Sequence, residues 1–178
     1  MPDSKMVARD DVPYRTDEWI LKVKRELSSR YHVGKTYLVG KGDGAHYAAY
    51  LGTKYPEDFA GVGMIEGSWV GAFEKLLVIS GRPRKQIPLF VSLHGPDEES
   101  FKQTQKWAYQ FSSKGYSVYL EKFEKNETVD IADLKMRMMD WLQKKTEEWA
   151  QAIAKSGKTK KEKVRQWLGE FVSSPAHH

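Results

Sequence analysis

Residues 35–67 constrain the fold more than any other part of the sequence. A β-branched and aromatic run at 36–39 is followed by Gly40-Lys41-Gly42-Asp43-Gly44, by helical spacing at 45–55 and by a second apolar run at 62–65. This succession of strand, glycine-rich turn, helix and strand predicts a βαβ unit with parallel strands. Because both runs are continuously apolar, we expect helices to cover both faces of the sheet.

The glycine-rich turn matches two kinds of site. Gly40, Gly42 and Ala45 fit the G-x-G-x-x-G/A pattern of dinucleotide-binding domains, in which Glu66 would lie near the ribose. The same turn also has the frame of a nucleophile elbow, G-x-S-x-G, with glycine at position 42 where the elbow has serine. The segments after the turn favour one of these interpretations.

Two later segments favour the elbow. Residues 55–62 read Tyr-Pro-Glu-Asp-Phe-Ala-Gly-Val, and residues 87–95 read Ile-Pro-Leu-Phe-Val-Ser-Leu-His-Gly. With the helix before the turn, their order and spacing resemble the α/β-hydrolase superfamily, in particular esterases of the polyhydroxybutyrate-depolymerase and dienelactone-hydrolase kind, over residues 11–142. A dinucleotide-binding domain does not account for the strand that ends in His94.

The resemblance implies a catalytic triad of which two members are missing. The nucleophile position is glycine, and residues 124–130, after the last predicted strand, contain no histidine. The acid would be Glu98 or Asp97. A nucleophilic Asp43 is disfavoured because Lys41 would occupy a position that needs a small side chain. We therefore expect a vestigial elbow, with positive φ at the glycine that replaces serine, formed by Gly40, Lys41, Gly42, Asp43 and Gly44.

Two histidines and two aromatic residues are further candidates for the site. His46 and His94 do not occupy the family's histidine position, so we expect both to be hydrogen-bonded structural residues. Trp69 and Phe73 share one side of a predicted helix at 68–80, and together with His46 they could line a binding pocket beside the turn. Core packing explains the same spacing.

The pattern predicts a three-layer αβα fold, a partial α/β-hydrolase fold with about four parallel strands in sequence order. Residues 1–15 are expected to be an extended lead-in and residues 16–145 the hydrolase-like domain. The first helix is expected to start at Thr16 or Asp17. Its sheet-facing positions would be Trp19, Ile20, Val23 and Leu27.

Residues 146–178 are expected to be a helical extension. We expect a break at Ser156-Gly157-Lys158 and a new helix opened by a capping box of Thr159 and Glu162. An apolar stripe then runs through Val164, Trp167, Leu168, Phe171 and Val172.

The resemblance covers only the C-terminal half of a hydrolase domain. In the family further strands precede the one at 36–39, which would therefore be an open edge here, and an open apolar edge favours pairing with another chain. We expect the interface to include Tyr37, Val39, Trp167 and Phe171.

Composition limits the remaining classes of function. The chain has 178 residues and no cysteine, which excludes disulfides and thiolate metal sites. It contains no apolar run long enough to span a membrane, and residues 1–11 lack the apolar core of a signal peptide. The net charge of +5 is mixed along the chain up to residue 155, so nucleic-acid binding is not expected, and neither a cofactor nor a metal is implied.

The sequence thus predicts a non-catalytic α/β-hydrolase-like domain that acts in binding or assembly, with a protein partner or a second copy. Two alternatives stay open. The chain would be a serine esterase or peptidase if position 42 had been substituted or if another chain supplied the missing half. It would be a dinucleotide-binding domain if Gly40, Gly42 and Ala45 held a pyrophosphate.

Overall fold

A computed structural model describes residues 12–67 and 86–172, with side chains at 16–67 and 86–157. The elements in chain order are α1 (Val12–Arg30), β1 (Tyr37–Lys41), α2 (Asp43–Lys54), β2 (Gly61–Ile65), β3 (Leu89–His94), α3 (Glu98–Ser113), β4 (Val118–Phe123) and α4 (Ile131–Val172). Trp69, Phe73 and the predicted helix at 68–80 lie outside the described residues, as do the side chains of Trp167 and Phe171.

The four described strands form one parallel sheet in the order β1-β2-β3-β4. Tyr37 pairs with Gly61, Val62 with Leu89, and Leu89 with Val118. The predicted sequential order of parallel strands is confirmed.

Helices cover both faces of this sheet. On one face Ala45 and Ala49 of α2 and Phe111 of α3 share a buried cluster with the sheet residues Met64 and Val91. On the other face, three buried side chains of α4 pack against Ile65 and Phe90, namely Leu134, Met138 and Leu142. The predicted three-layer αβα fold is confirmed.

The prediction for the start of α1 was wrong. The helix begins at Val12, so residues 12–15 belong to it and not to an extended lead-in. Pro13 lies in the first turn, where a helix tolerates proline because the missing N–H has no intrahelical acceptor. Asp17 lies inside the helix and is 1% exposed.

The expected inner face of α1 was only partly right. Ile20 packs, with Leu21, against a buried cluster of Tyr50, Leu51 and Phe59. Trp19 and Leu27, in contrast, are 64% and 48% exposed. The helix therefore contacts α2 through a narrow side that includes Asp17.

The predicted break in the C-terminal extension is absent, because α4 is continuous over 42 residues from Ile131 to Val172. Gly157 lies within the helix, and Thr159 and Glu162 do not open a new one. One glycine disfavours a helix by only about 1 kcal/mol, and the lysines around it have favourable helix propensities. No helix among the described residues combines the length and hydropathy needed to cross a membrane.

Candidate functional site

The turn between β1 and α2 has the backbone that the elbow frame predicts. Gly42 has φ 57° and ψ −125°, so the predicted positive φ is confirmed. Its N–H donates to the Ile65 carbonyl at 2.9 Å, and its carbonyl accepts from the Ala45 N–H at 3.0 Å. These two bonds connect the turn to β2 and to the first turn of α2.

Two glycines make this turn possible for different reasons. A Cβ on Gly40 would lie 2.0 Å from the Gly44 carbonyl oxygen, so any larger residue would separate the strand from the helix. A Cβ on Gly42 would meet nothing within 4 Å. A side chain at position 42 would thus have room, and only its positive φ opposes it.

Glu66 lies beside the turn, at the end of β2. It has φ 54°, a strained value for a residue other than glycine. Its carboxylate is 3.0 Å from the Lys41 ammonium, and its N–H donates to the Ser92 carbonyl at 2.8 Å. The sequence indicated Glu66 only as a ribose ligand, because no local pattern announces positive φ at a glutamate.

An open cleft of about 250 Å³ adjoins Glu66 at the carboxyl ends of β2 and β3. Its lining is Glu66, Leu93, His94, Gly95, Pro96, Asp97 and Ser100. In parallel α/β sheets ligands bind at this end of the strands. The cleft is therefore where a binding site of this fold is expected. Within the described ranges, no three His, Asp or Glu side chains are placed to hold a metal ion.

The two candidate acids both have structural partners. Asp97 caps α3: its carboxylate accepts from the Ser100 N–H and from the Ser100 hydroxyl, each at 2.8 Å. These bonds, the backbone one first, lower the pKa of Asp97. Glu98 is exposed and pairs with Lys102 on the next turn at 2.6 Å. Neither carboxylate is bonded to a histidine in the described structure.

The two candidate histidines lie in different surroundings. The His94 Nε2 lies 3.1 Å from the Glu127 carbonyl and joins the ends of β3 and the loop after β4. His46 is 9% exposed on α2, near the buried Ala45 and Ala49. The structure thus brings His94 and Asp97 into the cleft and leaves His46 in the core.

Two observations disfavour a dinucleotide at the turn. The helix that would face a pyrophosphate has Asp43 in its first turn, and a carboxylate there repels a phosphate. The described strands also run in simple sequential order, without the reversal at which a dinucleotide crevice forms.

The predicted interface residues of β1 lie at an open edge. Among the described strands β1 pairs only with β2, and Val39 is 47% exposed. Tyr37 is half-buried against α4, and its hydroxyl has no hydrogen-bond partner in the described structure. Within residues 12–67 and 86–172, one side of β1 is therefore unpaired.

A buried polar cluster between α1 and α2 was missed. The Asp17 carboxylate accepts from the Tyr47 and Tyr50 hydroxyls and from the Lys54 ammonium. The sequence held a signal for it, because positions 47, 50 and 54 recur at helical spacing beside the alanine face of α2.

Comparison with protein-family models, with curated proteins and with solved structures returned no match. The resemblance to the α/β-hydrolase superfamily accordingly stays a prediction from the sequence.

Proposed function

We propose that this chain is an α/β-hydrolase-like domain that performs no acyl transfer and acts in binding and assembly. One observation carries the proposal: Gly42 has the positive φ of a nucleophile elbow but no side chain to act as nucleophile. An elbow accepts strain in order to expose a hydroxyl, and glycine keeps the same backbone without that strain.

The groups around the turn support the proposed absence of acyl transfer. Asp97 is held by its capping bonds to Ser100, and His94 by the Glu127 carbonyl. A nucleophile and its base act as a unit, so loss of either removes most of the catalysis. What the site retains is a polar cleft able to bind without reacting.

The open edge of β1 supports a role in assembly. The Thr36 carbonyl accepts from the Ala60 N–H, and the Gly42 N–H donates to Ile65, both toward β2. Because backbone groups alternate sides along a strand, those of Tyr37, Val39 and Lys41 point away from β2. An added strand would satisfy them.

Hydrolysis of p-nitrophenyl acetate and butyrate tests the catalytic half of the proposal. The full chain should match buffer containing a lysine-rich control protein, and Gly42→Ser should also be inactive because the histidine is missing. Activity of the unmodified chain that a serine-directed phosphonate abolishes would overturn the proposal. Activity of Gly42→Ser alone would show that the rest of the site is intact.

Amide exchange at Val39 tests the assembly half. Protection that grows with protein concentration indicates pairing in trans, whereas protection independent of concentration indicates pairing with residues 1–11. Rapid exchange at every concentration would contradict a paired edge. The Leu38 amide, on the β2 side, serves as the internal reference.

A further inference from the structure

The C-terminal half of α4 leaves the domain. Thr146 is the last residue of α4 bonded to the sheet region, through its hydroxyl to the Ala60 carbonyl at 3.1 Å. Every residue from 151 to 157 is exposed, including Ile153 at 48%. Two full turns without a covered side show that the described part of the domain does not pack over the helix there. We call residues 151–172 the arm.

An arm of this kind needs a partner. The helix continues to Val172, about 33 Å beyond residue 150 at the usual rise per residue. In proteins most of the stability of a helix comes from packing of an apolar face and not from helix propensity. The arm contains Gly157 and Gly169, which weaken it further.

The spacing of residues along α4 indicates what that partner is. Alternating steps of four and three connect one helix face: Thr146, Ala150, Ile153, Gly157, Lys160, Val164, Trp167 and Phe171. Such steps are those of a two-helix coiled coil. The steps are the same when counted from either end. In an antiparallel pair, each of the eight positions of one copy therefore faces one of the eight positions of the other.

This antiparallel alignment opposes large residues with small ones. Ile153 faces position 164, a valine, of the other copy, and Ala150 faces position 167, a tryptophan. Gly157 faces position 160, so the two Lys160 residues do not meet directly. A parallel pair would instead place Lys160 against Lys160.

A groove lies where the ends of the other arm would arrive. Its volume is about 350 Å³. Its lining combines the apolar Val33, Phe59, Trp149 and Ala150 with Thr146 and with the charged Lys24, Lys35, Glu57 and Asp58. Position 167 of the second copy stands opposite Ala150, which is exposed and lines this groove. Position 171 comes opposite Thr146, which is buried against its own domain, so the paired helices end there and position 171 reaches the groove at its edge. The helix spacing and the groove are independent observations that agree.

We propose that the arm binds the arm of a second copy in antiparallel orientation, with positions 167 and 171 of each arm at the groove of the other. This rests on the assembly role proposed above and names its partner. Each copy would bury on the order of 800 Å² through two tryptophans, a phenylalanine and its aliphatic residues. This is the area that one subunit contributes to a stable interface.

The positive charge of the arm opposes the pairing, so the pairing should depend on salt concentration. Residues 155–172 contain six basic and two acidic side chains, a net charge of +4. Two such arms repel each other, and salt screens the repulsion. Dimerisation should therefore strengthen with added salt, opposite to binding of nucleic acid or an anionic membrane.

Sedimentation equilibrium of the full chain tests the pairing, and we expect a dimer. Ile153→Glu should raise the dissociation constant roughly tenfold or more, because both copies lose this contact. The control is Met136→Glu, an equally exposed site on the domain part of α4, which should stay dimeric.

The absence of natural cysteine allows a test of orientation. Ile153→Cys with Val164→Cys should form an oxidised dimer, and Ile153→Cys alone should not. A monomer at every concentration, binding to anionic vesicles by a monomer, or cross-linking through position 153 alone would overturn the inference. A folded monomer without esterase activity would leave the non-catalytic half of the proposed function standing, whereas esterase activity would remove that half whatever the mass.

Discussion

The Lys54 ammonium lies 2.9 Å from a carboxylate oxygen of Asp17, an aspartate that is 1% exposed between α1 and α2. Burial disfavours the charge on Lys54, but hydrogen bonds with Tyr50 and Asp17 outweigh it and raise the pKa of the lysine. Burial also raises the pKa of Tyr50. At neutral pH the cluster therefore holds a charged lysine and protonated tyrosines around one carboxylate.

Asp17→Asn should lower the free energy of unfolding by roughly 2–4 kcal/mol, because it leaves Lys54 without its counter-charge and two tyrosine hydroxyls facing an amide. Urea melts measure the loss. Tyr55→Phe removes the longest bond to Asp17, 3.3 Å, and a hydrogen bond to Lys54 but keeps the Asp17–Lys54 charge pair, so it should change stability less. Equal effects of the two substitutions would contradict this account.

The same cluster gives an alkaline signature. Groups whose folded pKa is raised stabilise the fold fully below their unfolded pKa, and that contribution is lost as pH rises. For Lys54 and Tyr50 the loss should begin above about pH 10. The unmodified chain should lose stability there more steeply than Asp17→Asn.

Gly42→Ser should fold but lose about 1–3 kcal/mol, because a serine at φ 57° is strained. Gly44→Ala is the matched control: its Cβ would also meet nothing within 4 Å, but its φ is not positive. As a glycine inside a helix it should give a neutral to stabilising substitution, by up to about 1 kcal/mol. Urea melts in which Gly42→Ser is neutral would remove the elbow frame.

Tyr37→Phe should stabilise the chain by about 1 kcal/mol, because it removes a buried hydroxyl that has no hydrogen-bond partner within the described part of the chain. Thermal melts are sufficient to measure the sign. The control is Tyr109→Phe, an exposed tyrosine on α3 for which no change is expected. A clear loss of stability would mean that the Tyr37 hydroxyl has a partner in solution.

Asp97→Asn should remove an acid-sensitive part of the stability. The pKa of Asp97 is lowered by the Ser100 N–H and hydroxyl, so its contribution is present above the unfolded value of about 3.9 and is lost as pH falls through the folded value. Melting temperatures of the two proteins should converge in acid and separate above about pH 4. Parallel curves would contradict the cap.

The sheet could be predicted because each strand carries its own signal. Residues 62–65 are apolar, residues 89–93 are apolar except for Ser92, and glycines follow closely at 67 and 95, which together indicate buried parallel strands. The positive φ of Gly42 followed from the turn frame alone.

Other features depend on contacts that no local pattern contains. Asp17 was expected to cap α1 because aspartate favours the N-cap position. It lies inside the helix instead, where Tyr47, Tyr50 and Lys54 of α2 bind its carboxylate. Gly157 resembled a break because glycine disfavours a helix and Thr159 with Glu162 matches a capping box, although the helical spacing continues through it. Glu66 has positive φ because β2 and β3 hold it, and its own residue type disfavours that conformation.

The length of α4 affects how the mass of this protein can be measured. A compact chain of 178 residues has a radius of gyration of about 16 Å, whereas a helix of 42 residues is about 63 Å long. A monomer with such a rod diffuses slowly and leaves a sizing column early, at the volume of a heavier sphere. When two such rods pair in antiparallel orientation, the mass of the particle doubles but its length less than doubles. A mass derived from elution volume alone would therefore be too high for the monomer. The oligomeric state has to be determined by light scattering or sedimentation equilibrium, which give the mass independently of shape.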